Sequence, residues 1–364
     1  MNHLGMVAAM EQEQYKFDVK ISRIIKGITI MIMVFHHLFA NAEWLVEGNY
    51  FISIPMREHS LEYYIAVYGK ICISIYAFLS GYGWYASYQC KKPKCFTLVK
   101  RVLMVLTHWW LIVLLCFLPL AIMSGQQTDW RMLRNNLLLV EHTWCPFADY
   151  LLFYVTAIIS FPMIYRVLKK INKPLLFFIG TPLIGMILRK FVSYTLPAGM
   201  LYQLVYFYLL YIPYIVAGSC VYQSGVFFTI HKWLREKKWN KTWIKVVLLF
   251  LSVPLRWVTG NRLVLDSFLA TYVVFLLVEL IQGREGKKFF RGMDFLGRHS
   301  TNIWFLHAAF FFSFAEYTQW IIYLPRIPLV IMLWCIILCL PVSWLINLLH
   351  DKIFALWERQ IKGS

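Results

Sequence analysis

The sequence predicts an all-α protein, a polytopic transmembrane helix bundle of about ten spans with both termini in the cytoplasm. Three observations carry that prediction. Of 364 residues, 60% are hydrophobic and 15% charged, whereas a soluble domain is near half apolar and a quarter charged. Apolar runs long enough to cross a bilayer, about twenty residues each, recur along the chain. The basic residues fall between those runs in a regular alternation.

The runs lie at roughly 22–40, 63–83, 99–123, 147–165, 174–188, 201–221, 243–257, 263–281, 296–314 and 326–348. The first, SRIIKGITIMIMVFHH within it, follows a leader without the apolar core and cleavage site of a signal peptide, so it directs its own insertion. The fifth and seventh are short. With the N-terminus inside, cytoplasmic clusters at 16–26, 91–101, 166–173, 232–245, 284–298 and 352–362 hold 27 of the 36 Lys and Arg, and outer segments hold eight. A missed or extra helix would scramble that pattern. The organisation expected is a cytoplasmic segment 1–20, a ten-helix membrane domain 21–350 and a cytoplasmic tail 351–364.

Fifteen Trp and 22 Tyr suit helix ends at the lipid–water boundary. The net charge of +18 is spread over short clusters, which excludes a continuous nucleic-acid-binding tract. Cys72, Cys116, Cys220, Cys335 and Cys339 lie inside apolar runs and read as small hydrophobes. Cys90 and Cys95 flank a basic cytoplasmic loop with no His at zinc-ligand spacing, so neither a disulfide framework nor a metal site is expected.

Ionisable groups inside spans are costly and mark candidate sites. The first span has Arg23, Lys26, His36 and His37. Lys26 and His37 are eleven residues apart, three helical turns, and share a face with Arg23, with Ile30 and Met33 between them. His36 is rotated about 100° away. The bland alternative has Arg23 and Lys26 snorkelling to lipid phosphates and the histidines packed against polar neighbours. His108 follows Lys100 and Arg101 in the third span, and His307 follows Arg298, His299 and Ser300 in the ninth. Three outward-running helices thus share a basic inner end and a buried histidine. Lys70, alone in the second span, has Glu279, Glu62 or a ligand as candidate partners.

The chain resembles the integral-membrane type-3 acyltransferases. Lys26-Gly27 followed by His37 is similar to the family's cation-Gly…His first helix, although Lys stands where Arg is usual and Arg23 takes the place of a preceding Asp. Phe78-Leu79-Ser80-Gly81-Tyr82 resembles its second-helix signature, Lys100-Arg101 its third-helix start, and His142-Thr143-Trp144 its polar-Trp element. Leu296-Gly297-Arg298-His299-Ser300 through His307 resembles its late Leu-Gly-basic-x-Ser…His block.

The resemblance implies transfer of an acyl group, most often acetyl, from cytoplasmic acyl-CoA to a hydroxyl of a cell-surface or lipid-linked polysaccharide in a bacterial inner membrane. No permanently bound cofactor and no metal are implied; the partners are acyl-CoA, a glycan and membrane lipid. Arg23, Lys26, Lys100, Arg101 and Arg298 are the candidate CoA-phosphate ligands. His37, with His36 as its rival, is the candidate base. Ser80, Tyr82, His142, Trp144, Ser300 and His307 are candidate substrate contacts, the aromatics, with Trp304, doing double duty as packing residues. A covalent relay through a histidine or Ser80 is the mechanistic alternative. A transporter, flippase or polymerase of lipid-linked glycans is the alternative function, weakened by the lack of an internal repeat. A sensor or scaffold is a third reading.

Overall fold

In a computed structural model describing residues 17–90, 95–197, 199–258 and 263–363, nearly every element is helical. Helix α1 (Val19–Phe39) starts where the Asp18 side chain accepts from Ile21 N at 2.9 Å, satisfying one of the orphan donors of its first turn. A loop with a small hairpin, β1 (Pro55–Met56) against β2 (His59–Ser60), leads to α2 (Leu61–Tyr68). A tight turn at Gly69–Ile71 joins α2 to α3 (Cys72–Cys90), and the three act as one 30-residue crossing.

Helix α4 (Cys95–Ile112) widens to a π turn at Val113–Phe117 and continues as α5 (Leu118–Met123). The short helix α6 (Trp130–Leu137) precedes α7 (Ala148–Lys169), α8 (Pro174–Thr195) and α9 (Met200–Ser224). There follow α10 (Val226–Glu236), rich in basic residues, then α11 (Thr242–Val258) and α12 (Asp266–Ile281). Helix α13 (Lys288–Leu306), the short α14 (Ala308–Phe311) and α15 (Ala315–Tyr323), and the 36-residue α16 (Pro328–Gly363) complete the chain.

The structure is an all-α polytopic bundle, and seven helices among the described residues are long and apolar enough to cross a membrane. The other three expected runs form helices of different character. Helices α11 and α12 have 17 and 16 residues, about 25 Å at 1.5 Å per residue, short of a hydrocarbon core of roughly 30 Å. Helix α13 begins well before the apolar run expected at 296, carries Lys288, Arg291, Asp294 and Arg298, and breaks at His307. His307 caps it, its N–H bonding Ile303 O, and the short helix that follows ends where the backbone turns at Phe312 (φ −123°, ψ −99°). The eighth expected span is three residues shorter, and the tenth runs unbroken through the expected tail.

Two crossings dominate the packing, α1 against α13 and α3 against α9. Both are locked by reciprocal glycines. A Cβ on Gly27 would strike the Met293 carbonyl, and one on Gly297 the Arg23 carbonyl. Gly81 meets Ile215 and Gly218 meets Phe78 in the same way. Close backbone approach through small residues is how helices associate where lipid removes the usual hydrophobic drive.

Buried charges outside these crossings are paired. Arg256 grips Asp266 with two hydrogen bonds of 3.0 Å and also donates to Val67 O. Glu279 binds Lys245 at 2.8 Å and His231 at 2.7 Å. Glu279 is therefore not the partner of Lys70, and Glu62 instead accepts from Ile54 N. Lys70 sits exposed in the tight turn between α2 and α3.

Candidate active site

The α1–α13 pair carries two constellations, one toward each end. At the basic end, Arg23 Nε bonds Asp294 Oδ1 at 2.7 Å and Arg298 Nη2 bonds Asp294 Oδ2 at 3.1 Å. One carboxylate between two guanidiniums leaves a single positive charge there. Asp294 went unnoticed in the sequence because Arg23 is 271 residues from it; its position one turn before Arg298, suited to an i,i+4 pair, was the available signal.

One turn deeper lies a cavity of about 110 Å³ lined by Lys26, Tyr76, Ser80, Tyr150, Tyr154, Ser300 and Trp304, among others. The fold thus joins four residues singled out in the sequence, from three helices: Lys26, Ser80, Ser300 and Trp304. Ser80 donates to Tyr76 O at 2.9 Å and to Tyr154 Oη at 3.2 Å. Ser300 donates to Gly297 O at 3.0 Å, and Tyr76 Oη donates to Lys26 O at 3.1 Å. Among the described residues, no carboxylate lies within ion-pair distance of the Lys26 ammonium. Arg101 stands one turn inward of Val105, another lining residue; it donates to Ser87 at 2.9 Å and lies over the Tyr88 ring. Lys100 points away and pairs with Glu358 on α16.

Toward the other end, His37 and His307 meet. His37 Nδ1 and His307 Nε2 are 2.8 Å apart, and His307 Nδ1 is 2.8 Å from Ile303 O. A carbonyl only accepts, so His307 Nδ1 carries hydrogen and its neutral ring accepts at Nε2. His37 Nδ1 is then the donor, and the lone pair of His37 is left on Nε2. The sequence put His307 among the candidate substrate contacts; the fold places it in hydrogen-bond contact with His37. Both rings are buried. The His37 ring stacks on Phe147 at 4.3 Å and on Phe311 at 5.4 Å, under a roof completed by Trp44 and Phe312.

Lys26 and His37 are about 16 Å apart along α1. His36 faces α2, with Nδ1 donating to Ala66 O at 2.7 Å. Three other predicted contacts lie outside both constellations. Tyr82 packs in an aromatic cluster with Phe17 and Tyr222. Trp144 is fully buried in the core, its indole N–H without a partner. His142, in the loop before α7, is half-buried; burial lowers its pKa against a Leu139 backbone contact that raises it, so the ring is neutral near pH 7. Tyr76, Tyr150 and Tyr154 were missed, since nothing local sets them apart from the other tyrosines.

The sequence model of a family described as an acyltransferase domain matches residues 21–348. No curated protein and no solved structure matches the chain.

Proposed function

Since the chain belongs to that acyltransferase family and is a multi-pass membrane protein, we propose that it moves an acyl group, acetyl in the first instance, from cytoplasmic acyl-CoA to a hydroxyl of a cell-surface or lipid-linked polysaccharide, in a bacterial inner membrane. The observation that carries this reading is the His37–His307–Ile303 hydrogen-bond chain, which leaves a lone pair on His37 Nε2 at the far end of the helix face that begins with Lys26.

The basic end suits the phosphates of coenzyme A. Lys26 lines the cavity, Arg101 lies one turn before its lining residue Val105, and Arg23 and Arg298, one turn from Lys26 and near Ser300, keep a net positive charge after Asp294 is counted. Of the five cations first considered, Lys100 is the least suited, being tied to Glu358. The about 16 Å from Lys26 to His37 is of the order of a stretched pantetheine arm.

In the proposed reaction the acceptor hydroxyl hydrogen-bonds to His37 Nε2. Its proton passes to the imidazole as the oxygen attacks the thioester carbon. A carbon–oxygen ester bond forms, the carbon–sulfur bond breaks, and the departing thiolate takes the proton back from His37 as coenzyme A thiol. His307 holds the base in one tautomer and shares the positive charge while it exists, and the aromatic roof of Phe147 and Phe311 limits hydrolysis by water. Direct transfer needs no acyl-serine. Ser80 has Tyr76 O and Tyr154 Oη as partners and no basic group to activate it.

Purified full-length protein incubated with radiolabelled acetyl-CoA and extracted capsular or lipid-linked glycan should label the glycan. Label that stays on the protein after denaturation would favour a covalent relay, and no label in either fraction would refute the acyl-CoA reading.

A further inference from the structure

Tyr150, on the first turn of α7, lines the cavity that also holds Lys26. It is 95% buried by its 5% exposure, and its hydroxyl has no hydrogen-bond partner. A buried hydroxyl left unpaired is destabilising, yet its neighbours Tyr76, Tyr154 and Ser80 are all hydrogen-bonded. The ring itself is firmly held, edge-on to Trp304 at 5.0 Å and to Tyr211 at 5.4 Å. The side chain is therefore fixed in place in the cavity wall, with an unused polar group buried there beside the Tyr76 and Tyr154 phenols.

The cavity's size narrows what that group receives. At about 110 Å³ it is well below the roughly 300–1,000 Å³ of sites that hold drug-sized ligands, so it admits a chain and not a nucleotide. Its lining of phenols, serines and one ammonium offers hydrogen-bond donors to neutral carbonyls. It also lies between the cationic end and His37, where the middle of a donor molecule would pass.

We propose that Tyr150 binds the pantetheine arm of the donor, its hydroxyl donating to an amide carbonyl of the arm. This rests on the acyl-CoA reading above. A residue serving the arm and not the phosphates treats acetyl-CoA and acetyl-pantetheine alike. Removing an oxygen that is unpaired in the free protein takes away no native hydrogen bond.

The test uses the full-length chain in nanodiscs with acetyl-CoA and with acetyl-pantetheine, which lacks the nucleotide and its phosphates. Tyr150→Phe should raise KM about five- to tenfold for both donors, with thermal stability unchanged or higher. Arg101→Ala, a change at the cationic end, should raise KM for acetyl-CoA alone. An unaltered KM for acetyl-pantetheine in Tyr150→Phe overturns the assignment. So does a fall in Tm that accompanies the loss, because the hydroxyl would then be structural. If the native protein transfers acetyl from neither donor, the acyl-CoA reading itself falls, an outcome distinct from native transfer with an indifferent Tyr150→Phe.

Discussion

Two histidine pairs lie inside the bundle, and they differ in how the rings meet. His37 and His307 meet through ring nitrogens at 2.8 Å, and the chain ends on a backbone carbonyl. His108 and His350 meet face to face, with centroids 4.0 Å apart and planes 15° from parallel. His108 Nδ1 and His350 Nε2 are buried without partners. The second pair belongs to a seam between α4 and α16 that also includes the Phe96–Trp357 stack and the Lys100–Glu358 ion pair. Linkage through nitrogens makes one imidazole the acceptor of the other's proton, whereas the stacked rings exchange none, and His350 spends its own N–H outside the pair, Nδ1 donating to Asp351 Oδ1 at 3.2 Å. Of these two pairs, only the first links its rings by a hydrogen bond.

That contrast predicts a graded series of variants. His37→Ala should lose at least a hundredfold in acyl transfer, as general-base removal does, while acyl-CoA binding and membrane level hold. More than a tenth of native activity in this variant would end the base assignment. His307→Ala should lose about tenfold, because His37 survives without its fixed tautomer. His307→Gln, whose side-chain oxygen can accept from His37 Nδ1, should recover part of that loss; equal activity in the two variants would argue against an orienting role.

His36→Ala should cost only a few-fold in activity. Its larger effect should be about 1 kcal/mol of stability, read by thermal melting, from the lost bond to Ala66 O. His350→Phe should change least. It keeps a ring against His108 and deletes the unpartnered buried Nε2 together with one contact to the exposed Asp351 carboxylate, so activity should match native and Tm should change little. Loss of transfer in His350→Phe at native stability would mean that the second pair serves the reaction too.

The two pairs also mark how far the sequence could be read. Basic-end polarity flagged His108 and His307 alike, since the signal was a buried histidine after a cationic start. What separates them is the partner, His350 for one and His37 for the other, and neither is close in sequence. Helical periodicity alone placed Lys26 and His37 on one face of α1, because that relation is local. The membrane class was legible for a similar reason, as composition and charge alternation survive any rearrangement of the helices. Asp294 was not legible as a shared counter-ion, and Tyr150 was not legible at all, for its distinction is an absent hydrogen bond. Tyr82 and Trp144 misled because an aromatic that stacks on a ligand and one that fills a core look the same in one sequence. Gly81 was legible only as part of a motif; its physical meaning is the space it leaves for Ile215.

The glycine lock between α1 and α13 bears on what a genetic screen would return. Gly27 and Gly297 touch no reacting group, yet each sits where a single added methyl must push the two helices apart. The ion pairs to Asp294, the Lys26 cavity and the His37–His307 contact are all strung along that same seam. Random mutagenesis scored for loss of acylation should therefore return alanine and serine at Gly27 and Gly297 beside changes at the histidines, with protein still made and inserted. Second-site suppressors of those glycine alleles should map across the seam, to residues whose shortening lets the helices close again.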